Sequence, residues 1–338
     1  MELKGVLAYI SWSHVNLDHI KGRYVPKLVV IESRSRKEIE VEMKPGQQLE
    51  LMVIPQRYCI FRKPDGKYCL SPIGRLHVES IPFCERCYNL IPSIKCIVGE
   101  PQCKEEEAPK SIKCIKSGIY QDRCKVPRFH YFLAYPIGHN SVYIKVGIQR
   151  ETTYPTRVLE QGAPIIALYA KTPNIWKGRE VEVESRLVLE EMVGKSISGL
   201  RIEHASEKKR TIAMVEKLVR RRSSIASTLE SFMEVKHEDI YDLVVRLARE
   251  VGHVLAERFR GYKLPEVKVI RAIDLYDMDE ALLRYDRIEE ITSIRGTSKF
   301  KGTVVGWLGS CLLLKEKGIL RIIDLRRLRG CLINISIS

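Results

Sequence analysis

With 338 residues, ten cysteines and a formal charge of +15, the chain has room for about two or three domains and an excess charge that attracts polyanions. Hydrophobic residues make up 45% and charged residues 29%, the composition of a folded chain rather than a disordered one. No apolar run approaches the ~18–20 residues that span a bilayer, and the opening Met1-Glu2-Leu3-Lys4 leads into no apolar leader, so a cytoplasmic protein without membrane contact is expected.

Residues 1–58 alternate short apolar runs with turns. Val6–Ile10, Tyr24–Glu32, Glu38–Met43 and Leu49–Ile54 are rich in Val and Ile and predict strands, with Lys44-Pro45-Gly46 as a turn. A small N-terminal β-domain follows from this pattern.

Residues 59–126 hold eight of the ten cysteines and little periodicity. Cys59, Cys69, Cys84 and Cys87 form a first quartet, with gaps of nine, fourteen and two residues. Cys96, Cys103, Cys114 and Cys124 form a second, with gaps of six, ten and nine. Tetrahedral Zn²⁺ takes four soft ligands, and a pair such as Cys84-Glu85-Arg86-Cys87 chelates from one tight turn. A short stretch rich in Lys, Glu, Pro and Gly cannot bury a large core, so two structural zinc sites are expected to supply the folding energy. Disulfides are the rival reading, and His77, His130 and His139 are substitute ligands if they are not plain loop or surface histidines. Cys311 and Cys331 lie in apolar runs and read as core. Two Cys₄Zn sites at about −2 each lower the effective excess to about +11, which leaves the protein basic.

Residues 127–262 change character. His130–Tyr135 and Val142–Ile148 predict a hairpin across Pro136–Asn140, Tyr154–Gln161 a short helix, Ile165–Ala170 a third strand, and Gly178–Val193 a long helix. Ile212, Val215 and Val219 mark a further helix bounded by Lys208–Arg210 and Arg220–Arg222. Ile240, Leu243, Val244, Leu247, Val251, Val254 and Leu255 make a clean apolar stripe closed by Gly261 and Pro265. Residues 263–338 return to β: Thr303–Leu308, Cys311–Leu314, Ile319–Ile323 and Cys331–Ile337 alternate with Gly-containing turns, as in a small barrel or half-barrel. Arg326 and Arg327 sit in one connection and offer a basic loop to nucleic acid. The fold class read from these elements is α+β, divided at 1–58, 59–126, 127–262 and 263–338.

His130-Tyr131-Phe132-Leu133-Ala134, Lys145-Val146-Gly147-Ile148-Gln149-Arg150 and Arg157-Val158-Leu159-Glu160-Gln161-Gly162-Ala163 resemble the central block of a zinc-binding, domain-of-unknown-function family of bacteria and archaea. The second cysteine set, Lys301–Gly306, Gly318-Ile319-Leu320 and Arg329-Gly330 are similar to other parts of that family. The central block in turn resembles the β-β-α-β-α fold of GIY-YIG nucleases. That resemblance implies a tyrosine that activates water, an arginine on the first helix that meets phosphate, and a glutamate that holds a divalent metal. Carried onto this chain, the arginine is Arg157 and the glutamate Glu182 or Glu184. The first-motif tyrosine position is Phe132, with Tyr131 beside it as the alternative, and the second is Lys145.

Phosphodiester hydrolysis needs a cation, a metal-holding carboxylate and a base, so Arg157, Glu182, Glu184, Lys145 and Tyr131 are the catalytic candidates, with Mg²⁺ as cofactor in that case. A Phe ring accepts no proton, and a Lys serves as base only with a strongly lowered pKa, which favours binding over cleavage. Lys145, Arg150, Arg157, Arg326 and Arg327 are then phosphate ligands, with structural ion pairs or edge charges as their plain alternative. The leading expectation is a cytosolic zinc protein that binds nucleic acid, RNA ahead of DNA. A metal-dependent nuclease and a scaffold docking on a ribonucleoprotein are the alternatives.

Overall fold

The protein is described by a computed structural model. It covers residues 2–18, 22–63, 65–74, 81–91, 96, 103–116, 120–137, 140–203, 240–279, 282, 285–291, 294 and 296–338. The expected helix around Ile212–Val219, together with His77 and His139, lies outside the described residues. The chain divides into two compact units: Met1–Lys125 with Leu159–Gln161 and Tyr276–Ser338, and Val126–Val158 with Gly162–Leu275. No helix among the described residues is long and apolar enough to cross a membrane.

Sixteen strands, numbered in chain order, lie among the described residues. The first unit holds β1 (Glu2–Ser11), β2 (Lys27–Glu32), β3 (Glu38–Glu42), β4 (Gln48–Tyr58) and β5 (Pro72–Ile73). The second holds β6 (Arg128–Ile137), β7 (Ser141–Arg150), β8 (Ile165–Thr172), β9 (Ser196–Ile197), β10 (Leu200–Glu203) and β11 (Lys263–Arg271). The first unit then resumes with β12 (Arg287–Ile291), β13 (Ser298–Leu308), β14 (Cys311–Glu316), β15 (Ile319–Asp324) and β16 (Cys331–Ile337).

The first unit is built on one ten-stranded sheet in the order β12-β15-β14-β13-β4-β16-β1-β2-β3, with β5 paired to β4. β16 lies between β1 and β4, and β13 pairs with the other side of β4. The expected separate β-parts, 1–58 and 263–338, are therefore interleaved from Tyr276 on, with Lys263–Arg271 left to the second unit, and the strands after it belong to this sheet rather than to a barrel of their own. Alternating apolar residues identify a strand but carry no address for its partner. β2 explains its unbroken Leu28-Val29-Val30-Ile31 run in this setting. All four side chains are buried, Val29 and Ile31 beneath residues of the cysteine segment and Leu28 and Val30, of opposite parity, on the other face.

The second unit is a six-stranded sheet in the order β11-β8-β6-β7-β10-β9. Its first elements follow the order strand, strand, short helix (Thr156–Leu159), strand, long helix (Ile175–Met192). Asn174 caps the long helix by accepting from the Lys177 N–H at 3.0 Å, three residues before the expected start. A second long helix, Ile240–Arg258, buries Val244, Leu247, Ala248, Val251 and Leu255 against the sheet and leaves Val254 exposed. Large side chains buried this way contribute about 1.5–3 kcal/mol each.

Both helices cover the face that carries Phe132, Ala134 and Val146. At Gly178 a Cβ would come within 3.1 Å of Arg128 Cγ and 3.3 Å of Thr172 Oγ1, so the first turns of Ile175–Met192 lie directly on that face. Tyr131, Lys145 and Gly147, of opposite parity, are on the other face. A Cβ on Gly147 would meet the Tyr131 hydroxyl at 2.7 Å, so glycine here makes room for the neighbouring ring.

Candidate metal centre

β4 ends at Tyr58, and the chain then folds back on itself. The Cys69 N–H donates to Phe61 O at 3.0 Å, Leu70 to Cys59 O at 2.9 Å and Cys59 to Ser71 O at 2.9 Å, while Arg62 and Tyr68 form a bridge. The hairpin is closed by the Lys63 N–H on Lys67 O and the Gly66 N–H on Lys63 O, each at 2.9 Å. This narrow hairpin brings Cys59 and Cys69 side by side although nine residues separate them.

The other pair sits on a single turn. Cys84 precedes the four-residue helix Glu85–Tyr88, and its carbonyl accepts from the Tyr88 N–H at 2.8 Å. That turn puts Cys84 and Cys87 on one side. The two halves are tied by the Ile60 N–H on Pro82 O at 3.0 Å and by edge-to-face Phe61 and Phe83 rings 5.3 Å apart. Gly330 closes the seam. Its φ is +80°, its carbonyl accepts from the Tyr58 N–H at 2.7 Å, and a Cβ there would meet Pro82 at 2.7 Å.

The four Sγ atoms lie within 4.8 Å of one another, and Cys69 Sγ stands 3.8 Å from Cys84 Sγ. Four Zn–S bonds of ~2.3 Å at tetrahedral angles place their sulfurs ~3.8 Å apart, whereas a disulfide holds two at ~2.05 Å. Cys59, Cys69, Cys84 and Cys87 are not joined to one another by disulfides. The first quartet can therefore hold a metal ion such as zinc, and the disulfide reading gives way.

Hydrogen bonding prepares the sulfurs for ionisation. The Phe61 N–H reaches Cys59 Sγ and the Ser71 N–H reaches Cys69 Sγ, each a donor two residues beyond its cysteine. Burial still pushes the Cys59 thiol up to about 12. At Cys69 burial also acts upward, but Ser71 and the Cys87 and Cys84 thiols outweigh it and bring this group down to about 7. Cys87 is raised by burial and by its bond to Cys69. One thiolate shared among neighbouring thiols is a nest that a soft cation completes by displacing protons.

The other predicted residues fall elsewhere. In the second set, Cys96, Cys114 and Cys124 are buried and Cys103 half-buried, and the Cys103 thiol is raised by burial and by the charge of Cys114. Among the described residues, the cluster of metal-capable side chains brought together is the first quartet. His130 is a core residue of the second unit, with Nε2 3.0 Å from Thr172 Oγ1, so it is no substitute ligand for the cysteines.

The catalytic candidates fall on both sides of the second unit's sheet. Tyr131 and Lys145 share the face opposite the two long helices, whereas Glu182 lies buried on the first of those helices and ion-paired with Arg179. Glu184 is exposed and lies 3.5 Å from Arg258 on the neighbouring helix. Arg157 is exposed in Thr156–Leu159, and Arg150 closes β7 half-buried. Glu160 takes Arg329 at 2.7 Å.

The basic loop is a structural element. Asp324 Oδ1 caps a 3₁₀ turn by accepting from the Arg326 N–H at 3.1 Å, and the Arg326 guanidinium returns two bonds to the same carboxylate at 3.0 and 2.8 Å. Arg327 Nε is 3.8 Å from that carboxylate. Arg326 is thus ion-paired with Asp324 while its side chain keeps partial access to solvent. Ser71, Phe83 and Gly330, which shape the metal centre, escaped the sequence reading because only their folded neighbours reveal them.

Residues 46–333 match the family model described as "Protein of unknown function (DUF2797)", and the chain belongs to that family. No curated protein and no solved structure matches the chain.

Proposed function

We propose that this member of the DUF2797 family is a cytosolic zinc protein that binds nucleic acid, RNA ahead of DNA. The observation that carries the reading is the four-sulfur cluster of Cys59, Cys69, Cys84 and Cys87. Cys96, Cys103, Cys114 and Cys124 are assigned to a second zinc, supported by their burial and by the electrostatic proximity of Cys103 and Cys114. The formal +15 charge supports a polyanionic partner. Lys145, Arg150 and Arg157 belong to the strand-strand-helix segment that resembles the GIY-YIG block, and they are the proposed phosphate ligands.

Binding is favoured over cleavage by the placement of the carboxylates. Glu182 and Glu184 are ion-paired on the helix side, and Tyr131 and Lys145 lie on the other side of the sheet. A metal held by either glutamate is thus separated from both candidate bases by the sheet.

Two measurements test the reading. Elemental mass spectrometry is expected to find two zinc equivalents per chain, falling to one in Cys84→Ser. Filter binding of RNA and DNA across a salt series is expected to give a steep log–log dependence, with Lys145→Ala lowering its slope by about 1. Affinity that ignores salt, or none at all, rejects the nucleic-acid reading.

A further inference from the structure

The hairpin that carries Cys59 and Cys69 has two faces. One faces the sulfurs, where Cys59, Cys87 and Ile73 are buried with Phe61, Cys69, Phe83 and Cys84. The other rests on β1 and β2, where Tyr68, Ile60 and Leu70 pack over Ala8, Val29 and Ile31. Tyr68 also donates to Glu38 of β3, the carboxylate that accepts from Tyr9 at 3.3 Å. The apolar face of β1 and β2 that carries Ala8, Val29 and Ile31 is therefore covered by the back of the metal-binding hairpin.

Such a cover cannot hold itself. An isolated two-stranded hairpin is marginal in water, and Ile60, Tyr68 and Leu70 form a small apolar surface. Closure of the hairpin against Cys84 and Cys87 depends on the ion that joins all four sulfurs, because metal binding in small cysteine modules is their folding energy. We infer that the metal centre is a latch: loss of the ion releases the hairpin from β1 and β2 and uncovers Ala8, Val29 and Ile31, turning a sealed sheet face into an exposed apolar surface. This rests on the zinc reading of the first quartet.

Hydroxyl-radical footprinting read by mass spectrometry measures side-chain access in the full chain, with zinc content recorded on the same samples. Chelation is expected to raise labelling at Tyr68, Leu70 and Ile31 several-fold and zinc return to reverse it, while Phe132 in the second unit stays protected. Cys84→Ser removes a ligand outside the hairpin and is expected to give the same rise without chelator. If that variant unfolds throughout, Phe132 is labelled too and the wild-type chelation arm decides. Zinc release with Tyr68 and Ile31 still protected overturns the latch alone. A wild-type protein without zinc whose Tyr68 is protected overturns both the latch and the metal reading.

Discussion

The two units cover their sheets by different means. In the second, the helix Ile240–Arg258 lays Val244, Leu247, Ala248, Val251 and Leu255 on the strands, all fully buried. In the first, the outer face of β1 and β2 is covered by a hairpin that offers Tyr68, Ile60 and Leu70. Nineteen helical residues bring enough apolar area to hold themselves in place. A hairpin of about thirteen residues does not, and four sulfurs supply what area cannot. Where a cover is too small to be hydrophobically self-sufficient, a cross-link takes the place of a core.

The contrast predicts where metal matters. Stripping zinc, or Cys84→Ser, removes a linkage whose apparent binding energy in small cysteine modules is ~10–16 kcal/mol. Calorimetry is expected to show the first unit's transition moving down or broadening, with the second unit's transition unmoved. Equal shifts in both would erase the distinction.

A smaller effect belongs to a half-buried ion pair of the first unit. Asp324→Ala leaves Arg326 with its two charge-assisted bonds unmade, an expected cost of about 1–3 kcal/mol. Leu247→Ala is the matching lesion in the second unit, expected to cost about 2–5 kcal/mol through the cavity it opens. Urea titrations check both. Leu247→Ala should leave zinc content unchanged, and a loss of zinc in that variant would show that the helical cover and the metal cover are not separate devices.

Legibility differed between the units for the same physical reason. The stripe from Ile240 to Leu255 was readable because helical burial repeats every three to four residues within one segment, and the element lies where the pattern put it. The first cysteine quartet was readable because ligand type and the Cys84–Cys87 spacing are local chemistry. Its geometric completion was not, since Gly330 reaches Pro82 from far along the chain. The interleaving of β16 between β1 and β4 was equally hidden, because pairing across roughly 270–330 residues leaves no local trace. The Asp324 cap on Arg326 was hidden as well, because a loop arginine does not announce its ion-pair partner.

Acid should reach the second unit through His130. Burial, with the Arg128 charge adding to it, pushes this imidazole down to about 3 from an ordinary 6.5. The folded state therefore keeps it neutral where the unfolded chain binds a proton. The sign follows: the associated stability is intact above pH 6.5 and is lost as pH falls from there toward 3. At pH 4.5 the loss is about 2–3 kcal/mol, at ~1.4 kcal/mol per pH unit. His130→Phe, which keeps a ring but cannot titrate, is expected to flatten that slope in the second unit's unfolding. An unchanged slope would place the acid sensitivity elsewhere.

The smallest predicted effect probes the outside of the helical cover. Glu184 and Arg258 face each other at 3.5 Å across the two helices, both more than half exposed. Water screens such a pair, and ordering two long side chains offsets most of its attraction, so Glu184→Ala is expected to change stability by no more than ~1 kcal/mol. The same substitution tests the proposed preference for binding over cleavage. If Glu184 held a catalytic metal, its removal would abolish magnesium-dependent hydrolysis while leaving the fold intact. A stability near wild type, with RNA binding and its salt dependence unchanged, is the outcome expected of a solvated helix pair. It would leave the apolar stripe beneath as the part that holds the second unit's cover in place.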